Sequence, residues 1–183
     1  LDPAVREGLA RELSRIRDAV EIVASYGGLT PPRRVRIDLK AFVADALAAP
    51  ARTARLAEPP TVTGDPLDAS LDPDLVRAAL ETAAGSLLGR LPEGTPTRLQ
   101  AVVRTRAVKG KRYVEVAVRV RGVHLDGPAA DAAREAVVEV DERTRIARPG
   151  LALARAVTEA HGGGLDVRRT EAGTVLGLRF PPG

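Results

Sequence analysis

The stretch that most constrains the fold is the C-terminal third, Arg148 to Pro181, which reads RPGLALARAVTEAHGGGLDVRRTEAGTVLGLRFP. Leu151, Ala154, Val157 and Ala160 recur at three-residue steps, so a helix here has one apolar face. Pro149 suits its first turn, where a missing N–H leaves no intrahelical bond unmade. Gly162-Gly163-Gly164 ends it, because only glycine takes a left-handed cap without a Cβ clash. Leu165 and Val167 then alternate with Asp166 and Arg168, the period of a strand. Glu171-Ala172-Gly173 turns the chain, and Val175 to Phe180 reads as the returning strand.

The rest of the chain divides at about residue 30. Asp2-Pro3 is a helix start, with Asp as N-cap and Pro just inside. Val5, Leu9, Leu13, Ile16, Val20 and Val23 follow at steps of four or three, an apolar seam on a helix about 35–40 Å long. Arg6, Arg11, Arg17 and Asp18 occupy its far face, and Gly27-Gly28 with Pro31-Pro32 stops it. Such a helix either packs on its own domain or forms half of a hairpin used for dimerisation or docking. Residues 1–30 are therefore read as an interaction helix and 31–183 as the main domain. Within that domain Asp38 caps a short helix through Leu47, with Leu39, Phe42, Val43 and Leu47 on one face. Pro59-Pro60 opens an extended Thr61 to Gly64, and Asp65-Pro66 turns toward Ala69-Ser70-Leu71. Asp72-Pro73 repeats the cap signature and launches a helix to about Arg90. Leu99–Val108 and Tyr113–Val120 alternate around Lys109-Gly110-Lys111, a hairpin. Gly127-Pro128 begins a helix to about Val138, and Asp141 to Arg148 is a charged connection.

Composition narrows the functions. The chain has two Phe, two Tyr and no Trp, so its core is aliphatic. Without cysteine there is no disulfide, thiolate metal site or cysteine nucleophile, which fits a reducing cytoplasm. No apolar run is long enough to span a bilayer, so no membrane contact is expected of this segment. The start at Leu1 rather than Met points to a longer parent polypeptide. A net charge of +4 invites a nucleic-acid partner, but the arginines are interspersed with Asp and Glu and lack an aromatic platform. Abundant Ala, Arg, Gly and Pro instead match the coding bias of a GC-rich genome.

Three runs carry a resemblance. Gly150-Leu151-Ala152-Leu153-Ala154 stands for a G-L-G-L-A motif, and Glu159-Ala160-His161-Gly162-Gly163 for a helix ending in E-A-H-G-G. Gly173-Thr174-Val175-Leu176-Gly177-Leu178-Arg179-Phe180-Pro181 follows as G-T-x-F-x-F-x-L-P. In these the chain resembles the ATP-binding domain of sensor histidine kinases, in the GHKL (Bergerat-fold) superfamily. The resemblance covers essentially the whole chain. It implies an α+β fold, a two-layer α/β sandwich whose mixed sheet has helices on one face, preceded by the long amphipathic helix. Leu13 through Tyr26, followed by Val35 to Leu39, is similar to the family's second dimerisation helix and its link to the catalytic domain. The family's phosphoacceptor His sits on the preceding helix; residues 1–30 hold no His, so an acceptor lies upstream or is lacking.

The nucleotide-contacting positions depart from the family. The helix from Asp72 resembles D-P-x-x-L-x-x-x-L-x-N-L-x-x-N-A, whose Asn oxygen meets Mg²⁺ in family members. Here the two Asn positions hold Thr82 and Ser86, while Glu81, one residue off register, is read as an exposed charge. The D-x-G-x-G motif, whose Asp binds the adenine amino group, becomes Val120-Arg121-Gly122-Val123-His124. Ala152 replaces the middle Gly after Gly150, and Thr174 keeps its place. An adenine amino group without its acceptor loses about 1–3 kcal/mol, on the order of ten- to a hundred-fold in affinity. The segment matching the nucleotide lid lacks glycine-rich features before Gly150.

Neither ATP nor Mg²⁺ is therefore expected as a cofactor, and no catalytic residue or metal site is assigned. His161 is read as structural, a cation favoured at a helix C-terminus. His124 is read as an exposed loop residue rather than a phosphoryl acceptor. The leading expectation is a pseudokinase, a histidine-kinase-like docking module of bacterial two-component signalling. Its partner would be a response regulator or another histidine kinase, with a homodimer through the seam helix as a further option. Two alternatives stay open: an atypical kinase domain that still binds nucleotide, and a histidine phosphotransfer protein derived from a kinase. A related anti-sigma-type Ser/Thr kinase would also need the missing adenine Asp.

Overall fold

The computed structural model describes residues 31–91, 95–125, 139–140, 147–148 and 150–182. The seam helix expected over residues 1–30 and the helix expected over 127–138 lie outside the described residues.

Aspartate side chains start the first two helices. Asp38 Oδ1 accepts the Ala41 N–H at 3.1 Å to open α1 (Leu39–Thr53), and Asp72 opens α2 (Pro73–Leu88) with Pro73 in the first turn. The first helix continues six residues past the expected end at Leu47. Pro50 lies inside it and forfeits one backbone bond there, but the following Ala51 is buried in the core, which keeps the last turn in place. The second ends earlier than expected, on Gly89.

Strand β1 (Val35–Asp38) precedes α1 in the chain, β2 (Thr61–Gly64) and β3 (Asp68–Leu71) follow it, and β4 (Leu99–Val108) and β5 (Lys111–Val120) follow α2. The β4–β5 loop is Lys109-Gly110, both at positive φ as a type I′ turn demands. Two short strands, β6 (Glu139–Val140) and β7 (Ala147–Arg148), pair with each other within the span read as lid and charged connection. Then come α3 (Gly150–Ala160), β8 (Gly164–Thr170) and β9 (Gly173–Phe180). The main sheet runs β2-β4-β5-β9-β8, with β2 parallel to β4 and the other neighbours antiparallel. β1 was not expected as a strand; it pairs antiparallel with β3, its ladder flanked by an Arg36–Asp68 ion pair of 2.7 Å.

One face of the sheet makes the core. Val103, Val116 and Leu178 lie in one cross-strand row and Ala101, Val118 and Leu176 in the next, all buried. Against them pack Val43 and Leu47 of α1, Leu80 and Leu87 of α2, and Leu151 and Val157 of α3. The architecture is thus the expected two-layer α/β sandwich with a mixed sheet. Gly162 and Gly163 fasten α3 to β9: Gly162 takes φ +82°, and a Cβ on Gly163 would fall on the Arg179 carbonyl oxygen. Among the described residues no helix is long and apolar enough to cross a membrane.

Candidate functional site

α2 packs beside α3 and across β5, which brings the helix bearing Thr82 and Ser86 alongside the strand that ends in Val120. Thr82 and Ser86 are both half-buried. Glu81, expected to be exposed, is half-buried as well, because its neighbours Leu80 and Ala84 lie in the core. Val120 is completely buried and belongs to the same apolar cluster as Val118 and Leu125. After it the chain turns sharply: the Val123 N–H meets the Val120 carbonyl at 3.3 Å, and Gly122 adopts φ +79°. That turn is closed against the start of β9. Gly122 N–H donates to Ala172 O at 2.9 Å and Thr174 N–H to Val123 O at 2.7 Å.

Thr174 is fully buried, and its hydroxyl accepts the Leu125 N–H at 2.8 Å. Ala152 is buried on α3, and Gly150 is the first residue of that helix. His124 is exposed, as expected for a loop residue. The structure therefore sets Val120, Gly122 and Thr174 within one hydrogen-bonded corner, with His124 on its outside. Among the described residues no group of three or more His, Cys, Asp and Glu is arranged to hold a metal ion.

A second polar centre joins three distant parts of the chain. Asp72 Oδ1 accepts from the N–H groups of Asp74 and Leu75, each at 3.2 Å, capping α2. Its other oxygen, Oδ2, accepts the Arg33 N–H at 2.8 Å, in the segment that follows the expected interaction helix. Burial pushes the Asp72 carboxyl up, but these three backbone donors bring it below its usual range. The Asp72 N–H in turn donates to His161 Nε2 at 3.1 Å, while His161 Nδ1 lies 2.8 Å from the Val157 carbonyl. Arg34 Nη2 completes the knot on the His161 carbonyl at 3.0 Å.

His161 is structural, but not for the reason expected. A ring nitrogen that accepts an N–H carries no proton, so Nε2 is bare and the proton sits on Nδ1, facing Val157. The imidazole is a neutral bridge between α3 and the start of α2, not a cation answering a helix dipole. It is fully buried and meets Phe180 edge-on, with centroids 5.7 Å apart. Asp72 was legible as a cap. Its second role was not, because Arg33 and His161 are 39 and 89 residues away in sequence.

The fold is that of the histidine kinase ATP-binding domain. The ATP-binding domain of PrrB from Mycobacterium tuberculosis superposes with a TM-score of 0.56 at 21% identity, over 82% of this chain and 98% of that one. The histidine kinase AdeS of Acinetobacter baumannii gives 0.64 at 13% identity, covering 100% of this chain and 86% of that one. Full-length ShkA, solved in complex with AMPPNP, gives 0.67 at 20% identity over 98% of this chain, which spans 37% of ShkA. No protein-family model matches the sequence. The comparison with curated proteins likewise finds no match.

Proposed function

We propose that this chain is a histidine-kinase-like protein of two-component signalling that has given up nucleotide chemistry and acts by docking a partner. Val120 carries the reading. It stands at the position matching the family's adenine-binding Asp, and its side chain is wholly enclosed by apolar core. A valine side chain offers no acceptor to an exocyclic amino group, whose desolvation without a partner costs about 1–3 kcal/mol. Thr174 adds support, because its hydroxyl is engaged by Leu125 N–H. Thr82 and Ser86 offer short hydroxyls where the family pattern has Asn, a poor match for an octahedral Mg²⁺ that bridges phosphates.

The docking partner on this reading is a response regulator or another histidine kinase. The region that engages it is the expected helix of residues 1–30, through Val5, Leu9, Leu13, Ile16, Val20 and Val23. That helix would be coupled to the body by the Arg33–Asp72–His161–Arg34 knot. Calorimetric titration with ATP and Mg²⁺ tests the proposal. The expected result is affinity weaker than about 1 mM; a Kd in the micromolar range, several kcal/mol tighter, would return the chain to the nucleotide-binding kinases.

A further inference from the structure

The sheet face turned away from the helices is coated with guanidinium groups. Cross-strand register lays them in rows: Gln100–Arg119–Val175–Arg168, then Val102–Ala117–Gly177–Asp166, then Arg104–Glu115–Arg179–Gly164. Glu115 is wholly buried at the centre. It accepts from Arg104 Nε at 2.7 Å, Arg106 Nη1 at 2.8 Å and Arg168 Nη2 at 2.7 Å. Arg168 reaches it over Gly177, where an added Cβ would lie 2.6 Å from Glu115 Oε1. Asp166 takes further contacts of 3.3 Å from Arg106 and Arg168.

Two more arginines on this face have no carboxylate partner among the described residues. Arg119 uses only its Nε, on Gln100 at 2.8 Å, and Arg179 lies over the Tyr113 ring, 5.9 Å from its centroid. Among the described residues of this face, five arginines thus meet two carboxylates, an excess of three positive charges between them. No helix covers it.

We propose that this face docks an acidic segment of a partner protein, a strand or loop bearing several Asp or Glu carboxylates. Guanidinium forks match carboxylates in plane and spacing, so an excess of them selects such a chain over a neutral one. Glu115 holds three of the forks in fixed positions, which lowers the side-chain ordering cost of binding. Four strands about 4.8 Å apart, of seven (β8), eight (β9) and ten residues (β4 and β5), give a face on the order of 500 Å². That is below the roughly 800 Å² per partner of a stable complex, so the contact is transient and salt-sensitive. Single-stranded nucleic acid would ask for stacking rings, and the one ring on this face among the described residues, Tyr113, lies under Arg179. The inference stands apart from the nucleotide question, because the face lies on the other side of the sheet from α2 and α3.

Fluorescence anisotropy with a labelled oligoglutamate peptide of about twelve residues, long enough at about 3.3 Å each to cross the face, tests it on the full chain. The expected result is a Kd below about 100 µM at low salt, weakened at least about ten-fold near 0.3 M salt. The paired substitution Arg119→Glu with Arg179→Glu should weaken binding by at least about ten-fold, while circular dichroism shows the fold intact. Arg52→Glu with Arg55→Glu, exposed arginines at the end of α1, should leave it unchanged. Three results would overturn the proposal: no binding at millimolar peptide, equal losses in both variants, or tighter binding of single-stranded DNA through Arg119 and Arg179.

Discussion

Val120, His161 and Glu115 each show how one side chain's surroundings decide its role. A valine with no exposed surface, in the same buried cluster as Val118 and Leu125, is part of the core, whereas a valine lining a wet nucleotide cleft would tolerate a carboxylate. Val120→Asp separates these cases. With the site packed as described, the substitution buries an unpaired charge and should lower stability by about 3 kcal/mol or more in urea unfolding. A loss under about 1 kcal/mol would mean that the position opens onto solvent. His161 and Glu115 mark what a sequence hides at this scale. The His was legible as structural, but its protonation state follows from an N–H donor 89 residues away. Glu115 sits in an alternating strand as any outward residue would, and only register reveals the three arginines converging on it. Charges at every second residue, Arg104, Arg106, Asp166 and Arg168, were the available signal.

At the scale of elements, β4 was readable because its burial alternates with period two from Leu99 to Val103. β1 was not, since Val35, Arg36 and Asp38 are all exposed and Ile37 alone of its four residues packs against the core. α1 ran past its expected end because tertiary burial of Ala51 outweighed Pro50. Hydrogen-bonded caps, by contrast, were plain in both Asp38 and Asp72. Asp72 also lets its two jobs be separated. Asp72→Asn retains an oxygen for the cap of α2 but turns an amino group toward Arg33 N–H. It should leave helix content unchanged while Arg33 amide exchange speeds up. Asp72→Ala removes all three carboxylate bonds and should cost about 1–2 kcal/mol more than a cap-neutral change. Unchanged Arg33 exchange in the Asn variant would contradict the knot as the tether of the linker.

For the whole molecule, acid is the relevant stress. Burial alone would raise the Glu115 carboxyl, yet hydrogen bonds from Arg104 and Arg106 and the charge of Arg168 hold it below the ordinary value. Asp72 is lowered in the same direction by its backbone donors. A carboxyl with a lower pKa in the folded state stabilises the fold fully above its unfolded value, about 4, and loses that contribution as pH falls through the folded one. Stability should therefore be level near neutrality and decline below about pH 5. Glu115→Gln should cost about 2 kcal/mol at pH 7, because three arginines lose their partner yet stay partly wetted. The gap between variant and parent should close as pH falls; a gap constant down to about pH 3 would remove Glu115 from that role.

The sandwich, its helix caps and the core-facing strands came through in local pattern, while the register-dependent networks did not. Both feed one claim, that a kinase-type scaffold here has its adenine corner filled by protein. Amide chemical-shift mapping with AMPPNP and Mg²⁺ at about millimolar concentration reads that corner directly, well above any Kd an active domain would need. The account predicts that the amides of Val120, Gly122 and Thr174 stay where they are. Saturable shifts at all three would contradict it.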